Sequence, residues 1–193
     1  MSGEFVAFEG LIYDEFRRDV HVMERDGPWK RIIVCVDEGY TNPAVLLTIG
    51  EDNDGRLHML SEFYNRRVLQ ENVVAACKEI TTEYKIESVQ VDPSAAGLIA
   101  GMRAAGIHAV PANNAVTDGI QAVKARLVVA GDGRPRMTFA PSCVYTISEM
   151  DSYAWKETAG TMKDEPEKVN DHAMDAMRYG VMHFERKRGV FVG

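Results

Sequence analysis

Apolar residues in the first half of the chain come in short, β-branched runs broken by turn residues. Arg31-Ile-Ile-Val-Cys-Val-Asp37 is apolar at nearly every position and ends on an acid, which predicts a central strand buried on both faces. Glu38-Gly39-Tyr40-Thr41-Asn42-Pro43 then predicts a turn. Residues 44–49 and 56–64 read as two further strands, joined through Glu51-Asp52-Asn53-Asp54-Gly55, whose Asp-Gly pair is a hairpin signal. The chain is therefore expected to open with a three-stranded antiparallel meander.

Downstream the pattern changes to strands alternating with helices. Val73, Val74, Cys77 and Ile80 recur at helical spacing over 70–84, and Ser88-Val-Gln-Val-Asp92 is a second apolar run ending on an acid. A small-residue helix over 95–105, a short strand over 107–110 and an amphipathic helix over 118–130 follow. Gly131-Asp132-Gly133 turns the chain into a strand over 137–139, and a helix is expected from about 143 to 155. Residues 156–168, with Gly160, Pro166 and mixed charges, read as a loop or a mobile hairpin. The final helix, 170–187, carries Met174, Met177, Val181 and Phe184 as its buried stripe. The order β-β-β-α-β-α-β-α with a closing helix is that of the ribonuclease H-like fold: an α/β domain whose mixed sheet, a meander plus parallel strands, has helices on both faces. The organisation expected is a lead-in over 1–30, one domain over 31–187 and a tail over 188–193.

Composition narrows the class. At 193 residues and 46% hydrophobic, the chain is long enough for one well-packed domain. It has no apolar run of membrane-spanning length and no leader-like start, so a soluble, intracellular protein without membrane contacts is expected. Cys35, Cys77 and Cys143 are widely spaced and set among apolar residues, which predicts buried thiols and neither disulfides nor a zinc cluster. A net charge of −7 argues against a broad basic nucleic-acid surface.

The acids carry the candidate chemistry. Asp37 and Asp92 each follow an apolar strand at the point where it leaves the core, and α/β sheets build their sites at such carboxyl ends. In the last helix Asp171 and Asp175 lie only about 40° apart around the axis and flank the apolar stripe. Capping and the helix dipole explain an acid at Asp171 without function, whereas that explanation weakens one turn later at Asp175. Three carboxylates without a His or Cys cluster suit a hard cation, Mg²⁺ or Mn²⁺.

Gly10-Leu-Ile-Tyr13 with Phe16, Val36-Asp-Glu-Gly39-Tyr-Thr41-Asn-Pro43, Val91-Asp-Pro-Ser94, Asp118-Gly-Ile-Gln-Ala-Val123 and the closing Asn170-Asp-His-Ala-Met-Asp175-Ala-Met-Arg-Tyr179 together resemble the C-terminal half of the large terminase subunits of tailed double-stranded DNA bacteriophages. The resemblance runs from about residue 3 to residue 185. It implies a ribonuclease H-like nuclease that cuts concatemeric double-stranded viral DNA during packaging, with little sequence specificity. It maps the catalytic, metal-holding acids onto Asp37, Asp92 and Asp175, with two Mg²⁺ or Mn²⁺ ions, the second completed by DNA. His172, expected on the solvent side of the helix stripe, and Asp171 are secondary site candidates. Lys124, Arg126, Lys156 and Lys163 are candidates for contacting DNA phosphates. Implied partners are the terminase ATPase domain, the small terminase subunit and the portal, at the procapsid in the host cytoplasm. No Gly-rich phosphate loop ending in Gly-Lys-Ser/Thr occurs, so ATP hydrolysis is expected to lie outside this chain, beyond the lead-in.

Three other readings share some of these features. Asp37-Glu-Gly-Tyr-Thr41 also fits the phosphate turn of actin-like and sugar-kinase phosphotransferases, which need a second Gly-rich motif and a second domain. A resolvase or transposase would use the same acid triad on a more basic chain. A non-catalytic docking module of the motor would leave the acids merely solvating strand ends.

Overall fold

The computed structural model describes residues 10–158 and 161–188, apart from the side chains of 158, 161–164 and 187–188. The predicted meander forms from β1 (Arg31–Asp37), β2 (Ala44–Glu51) and β3 (Leu57–Asn65), each antiparallel to the next. β1 is so uniformly apolar that every residue from Ile32 to Asp37 is buried, as a strand covered on both faces must be. Helix α2 (Gln70–Glu83) then crosses to β4 (Ser88–Val91), which lies parallel to β1 on its other side. Helix α3 (Ala96–Ala104) leads to the edge strand β5 (Ala109–Pro111), and α4 (Val116–Leu127) to β6 (Met137–Phe139), parallel to β3 at the opposite edge. The six strands run in the order β5-β4-β1-β2-β3-β6.

Helices cover both faces. On one face, α5 (Val144–Ser152) and α6 (His172–Arg188) join α4 over a core containing Ile33, Cys35, Leu47, Ile49, Ile120, Met174, Met177, Val181 and Phe184. On the other, α2 and α3 bury Val34, Val36, Leu46, Val73, Cys77 and Leu98. The alternating residues of β1 thus feed two separate cores. The ribonuclease H-like, mixed α/β architecture read from the pattern is the one found. All three cysteines are buried free thiols. No helix among the described residues is long and apolar enough to cross a membrane.

Two elements differ from expectation. α5 stops at Ser152 instead of running to 155, because the next residues pair with the lead-in: Ile12 donates to the Tyr153 carbonyl at 2.8 Å and Trp155 to that of Gly10 at 2.9 Å. The lead-in also contributes a one-turn helix, α1 (Arg18–His21), and buries Ile12 and Tyr13. Of the two readings of residues 156–168, loop or hairpin, the hairpin is the one found, with β7 (Trp155–Thr158) antiparallel to β8 (Thr161–Pro166).

Candidate metal centre

The carboxyl ends of β1 and β4 bring the first two acids together. Val36 and Val91 are register partners in the parallel pair, so Asp37 and Asp92 occupy the next rung, and the Asp92 amide bonds the Val36 carbonyl at 3.1 Å. Gly39 follows Asp37 because the turn folds back tightly. A Cβ there would collide with the Pro43 and Asn42 carbonyl oxygens. Asp37 is 7% exposed, and burial, together with the neighbouring carboxylates of Asp175 and Asp92, raises its pKa above the ordinary range against the opposing pull of His172. Asp92 is more open. Burial acts to raise it, but hydrogen bonds from the Ser94 amide and hydroxyl and from Tyr179 prevail and hold its carboxyl below the usual value.

Helix α6 supplies the third acid and its surroundings. Asn170, in the left-handed region at φ 50°, turns the chain into the helix, a conformation Asn tolerates better than most residues. The apolar stripe packs α6 on β1 and β2, and Gly180 lets the backbone approach. A Cβ at 180 would stand 2.6 Å from both Cys35 Sγ and Ile49 Cδ1. His172, expected on the solvent side, is half-buried instead, and its Nδ1 lies 3.0 Å from Asp37 Oδ2. That hydrogen bond raises the imidazole pKa, with the Asp37 charge adding to it and burial opposing. Asp175 pairs with the buried guanidinium of Arg178 through one oxygen and lies 3.3 Å from Lys168 Nζ through the other. Asp171 is 4% exposed and pairs with the same ammonium at 2.9 Å.

Three contributors were not singled out from the sequence. Tyr179, one turn beyond Asp175, donates its phenol to Asp92 Oδ2 at 2.9 Å, and helical spacing from Asp175 was the available signal. Lys168 neutralises Asp171 and Asp175, with its position just before the helix as the only hint. Glu149 on α5 had no local signal at all. It is 4% exposed, accepts the Tyr64 phenol at 2.7 Å and the amides of Ala173 and Met174 at 2.8 and 3.3 Å, and burial pushes its carboxyl up to about 7 against those hydrogen bonds.

Three carboxylates and one imidazole, with no thiolate among them, form an oxygen-rich donor set of the kind Mg²⁺ and Mn²⁺ prefer. Asp37, destabilised by its own acidic neighbours, is the kind of group a cation relieves. The acids are not a ready-made cage: among the described residues no three His, Cys, Asp or Glu side chains are grouped closely enough to hold an ion. Mg²⁺ keeps several waters and takes phosphate oxygens, so an incomplete protein shell is compatible with it.

The candidate DNA contacts fare differently. Arg126 is not available to DNA: it lies on the buried face of α4, 2% exposed, pairing with Glu185 at 2.6 Å and donating to the Gly55 carbonyl at 2.8 Å. Lys124 is held by Asp14 at 2.6 Å and Glu15 at 3.0 Å. Lys156 is half-exposed beside Glu165 at 2.7 Å, and the side chain of Lys163 lies outside the described residues.

No family model matches the chain, and no curated protein does. Solved structures do. The large terminase of a thermophilic bacteriophage superposes with a TM-score of 0.80 at 32% identity, over 89% of this chain and 45% of that one. The chain therefore spans less than half the length of that relative. The nuclease domain of the P22 large terminase superposes at 0.74 with 18% identity, over 92% and 93% of the two chains. The large terminase nuclease domain of bacteriophage SPP1, solved with bound Mn, does so at 0.65 with 17% identity, over 86% and 97%. The chain is thus similar to bacteriophage large terminases, sharing nearly one residue in three with the thermophilic phage protein over 89% of its own length, and its fold is matched almost end to end by isolated terminase nuclease domains.

Proposed function

We propose that this domain is a divalent-metal-dependent endonuclease that cuts double-stranded viral DNA during genome packaging, with Asp37, Asp92 and Asp175 holding the metal. The observation that carries the reading is the placement of Asp37, a nearly buried carboxylate at the end of β1, raised in pKa first by burial and further by Asp175 and Asp92. The His172 imidazole offsets only part of that cost, and the Asp37 pKa stays raised, so the local electrostatics favour an added cation. The Mn bound in the SPP1 domain supports the choice of ion class.

Two bound Mg²⁺ or Mn²⁺ ions, the second completed by the DNA, would supply Lewis-acid stabilisation of the attacked phosphate and of the leaving 3′ oxygen. The chain's own groups prepare that chemistry. His172 fixes one oxygen of Asp37 and Tyr179 one oxygen of Asp92, so each acid presents a defined remaining face. Arg178 anchors Asp175 from the core side. Lys168, 64% exposed, balances Asp171 and Asp175 from the solvent side. Contacts to phosphates, from groups such as Lys156, Lys163 and a released Lys124, would position the duplex without reading its sequence. In the packaging machine the domain would work beside an ATPase domain, the small terminase subunit and the portal, at the procapsid.

Mn²⁺-dependent conversion of supercoiled plasmid to nicked and linear forms tests the reading. Asp37→Ala, Asp92→Ala and Asp175→Asn are each expected to abolish cutting with the melting curve preserved. Asn is chosen at 175 because the buried Arg178 guanidinium needs a polar neighbour. Cutting that survives Asp37→Ala would overturn the assignment of the acids, whereas its loss would exclude a non-catalytic docking module.

A further inference from the structure

Among the described residues, no side chain from its own flank is seen capping helix α6. The carboxylate of Asp171, at the position where a cap is expected, is turned to Lys168. The first amides of a helix have no carbonyl within it to meet, and those of Ala173 and Met174 are met by Glu149 Oε2, a group brought in from α5. Oε1 of the same carboxylate accepts the Tyr64 phenol from β3. One side chain, 4% exposed, thus ties a strand, a neighbouring helix and the first turn of α6. That turn holds His172 immediately before the bonded amides and Asp175 immediately after them. Asp37 meets His172 by a hydrogen bond and Asp175 through its charge, so any slip of the turn changes both relations.

We propose that Glu149 is a positioning residue for the metal centre, clamping the first turn of α6 so that His172 and Asp175 stand at Asp37. This rests on the three aspartates being metal ligands. The role depends on reach, since both oxygens are engaged at hydrogen-bond distance. A carboxylate acting only through its charge would tolerate displacement but not neutralisation. Glu149→Gln and Glu149→Asp therefore separate the two. Gln keeps the length and one acceptor oxygen for the amides, whereas Asp keeps the charge but falls one methylene short.

The test is calorimetric titration of the whole chain with Mn²⁺, alongside NMR hydrogen exchange at the Ala173 and Met174 amides without metal. Glu149→Gln should keep both amides protected and bind Mn²⁺ within about threefold of the parent, while Glu149→Asp should expose both and bind about tenfold more weakly, the loss typical of an outer-shell partner. Should Glu149→Asp fail to fold, Tyr64→Phe, which frees Oε1 alone, should speed exchange at the same amides and weaken Mn²⁺ by roughly threefold. Gln impaired with Asp intact, or parent-like exchange and affinity in the folded variants, would overturn the proposal. Failure of the ligand reading looks different: the unmodified chain would bind no Mn²⁺, or Asp37→Ala would bind it equally well, and the proposal would fall with it.

Discussion

Neighbouring side chains restrain all three acids, and the restraints differ in kind: His172 holds one oxygen of Asp37, Tyr179 one of Asp92, and Arg178 and Lys168 one each of Asp175. Asp92 is restrained by a neutral donor, so Tyr179→Phe removes a hydrogen bond without leaving a charge uncompensated. That variant should weaken Mn²⁺ binding by about tenfold, read by calorimetry, with little change in melting temperature. Glu149 offers a pH test. Its folded-state pKa, pushed up to about 7 by burial, stands above the ordinary value of 4.5, so the fold favours the protonated form. The stability it contributes is fully present below the ordinary value and is lost as pH rises through about 7. Melting temperatures of Glu149→Gln and the parent should therefore diverge in the variant's favour on going from about pH 5 to about pH 8. A constant difference would mean that Glu149 does not titrate in this range. Asp37 and Asp92 were legible because apolar strands ending on acids are a local pattern. Glu149 was not: its meaning comes from contacts with Tyr64, 85 positions away, and Ala173, 24 positions away, and nothing near it in sequence encodes either.

At the level of elements, α6 does most to place the site, and its legibility was uneven. The stripe of Met174, Met177, Val181 and Phe184 announced the buried face, and all four are fully buried. Periodicity fixed the facing of Asp175 but put His172 on the wrong side, since a residue at the first helical position is aimed by the incoming chain as much as by helical phase. The hidden constraint is Gly180, which a reading by propensity counts only as a weak point. A methyl there would gain about 1 kcal/mol of helix propensity, yet it must displace Cys35 and Ile49 in a closed core, at a cost of about 1–3 kcal/mol. Gly180→Ala is expected to lower stability in urea denaturation. Mn²⁺ affinity should fall as well, because a helix lifted off β1 carries Asp175 away from Asp37. Lost stability with unchanged metal binding would show that the two ends of α6 move independently. The end of α5 was misread for a related reason: Tyr153 and Trp155 have helix-compatible side chains, but their backbone groups are taken by Ile12 and Gly10, about 140 positions earlier.

For the whole molecule the proposed function raises the question of how a chain of net charge −7 would hold a polyanion. Several of its cations are spent internally: Arg126 on Glu185, Lys124 on Asp14 and Glu15, Arg31 on Glu51, and Arg56 on Asp54 and Asp132. On the proposed reading, Asp37, Asp92 and Asp175 also face the place a phosphate would occupy. Without divalent ions the domain should therefore bind duplex DNA weakly, with a log–log salt slope of magnitude below about 3, since few phosphates can be neutralised. Ca²⁺, which lets carboxylates bridge to phosphates while supporting little hydrolysis in sites shaped for smaller ions, should tighten binding. The double variant Asp37→Asn with Asp92→Asn separates charge from coordination. Without metal it should bind DNA more tightly than the parent, because two repelling charges are gone, and adding Ca²⁺ should bring it no further gain. Fluorescence anisotropy on a labelled duplex reads both arms. If the double variant responds to Ca²⁺ as the parent does, the ion acts elsewhere on the DNA or the surface, and the acids at the ends of β1 and β4 are not where the domain takes its grip.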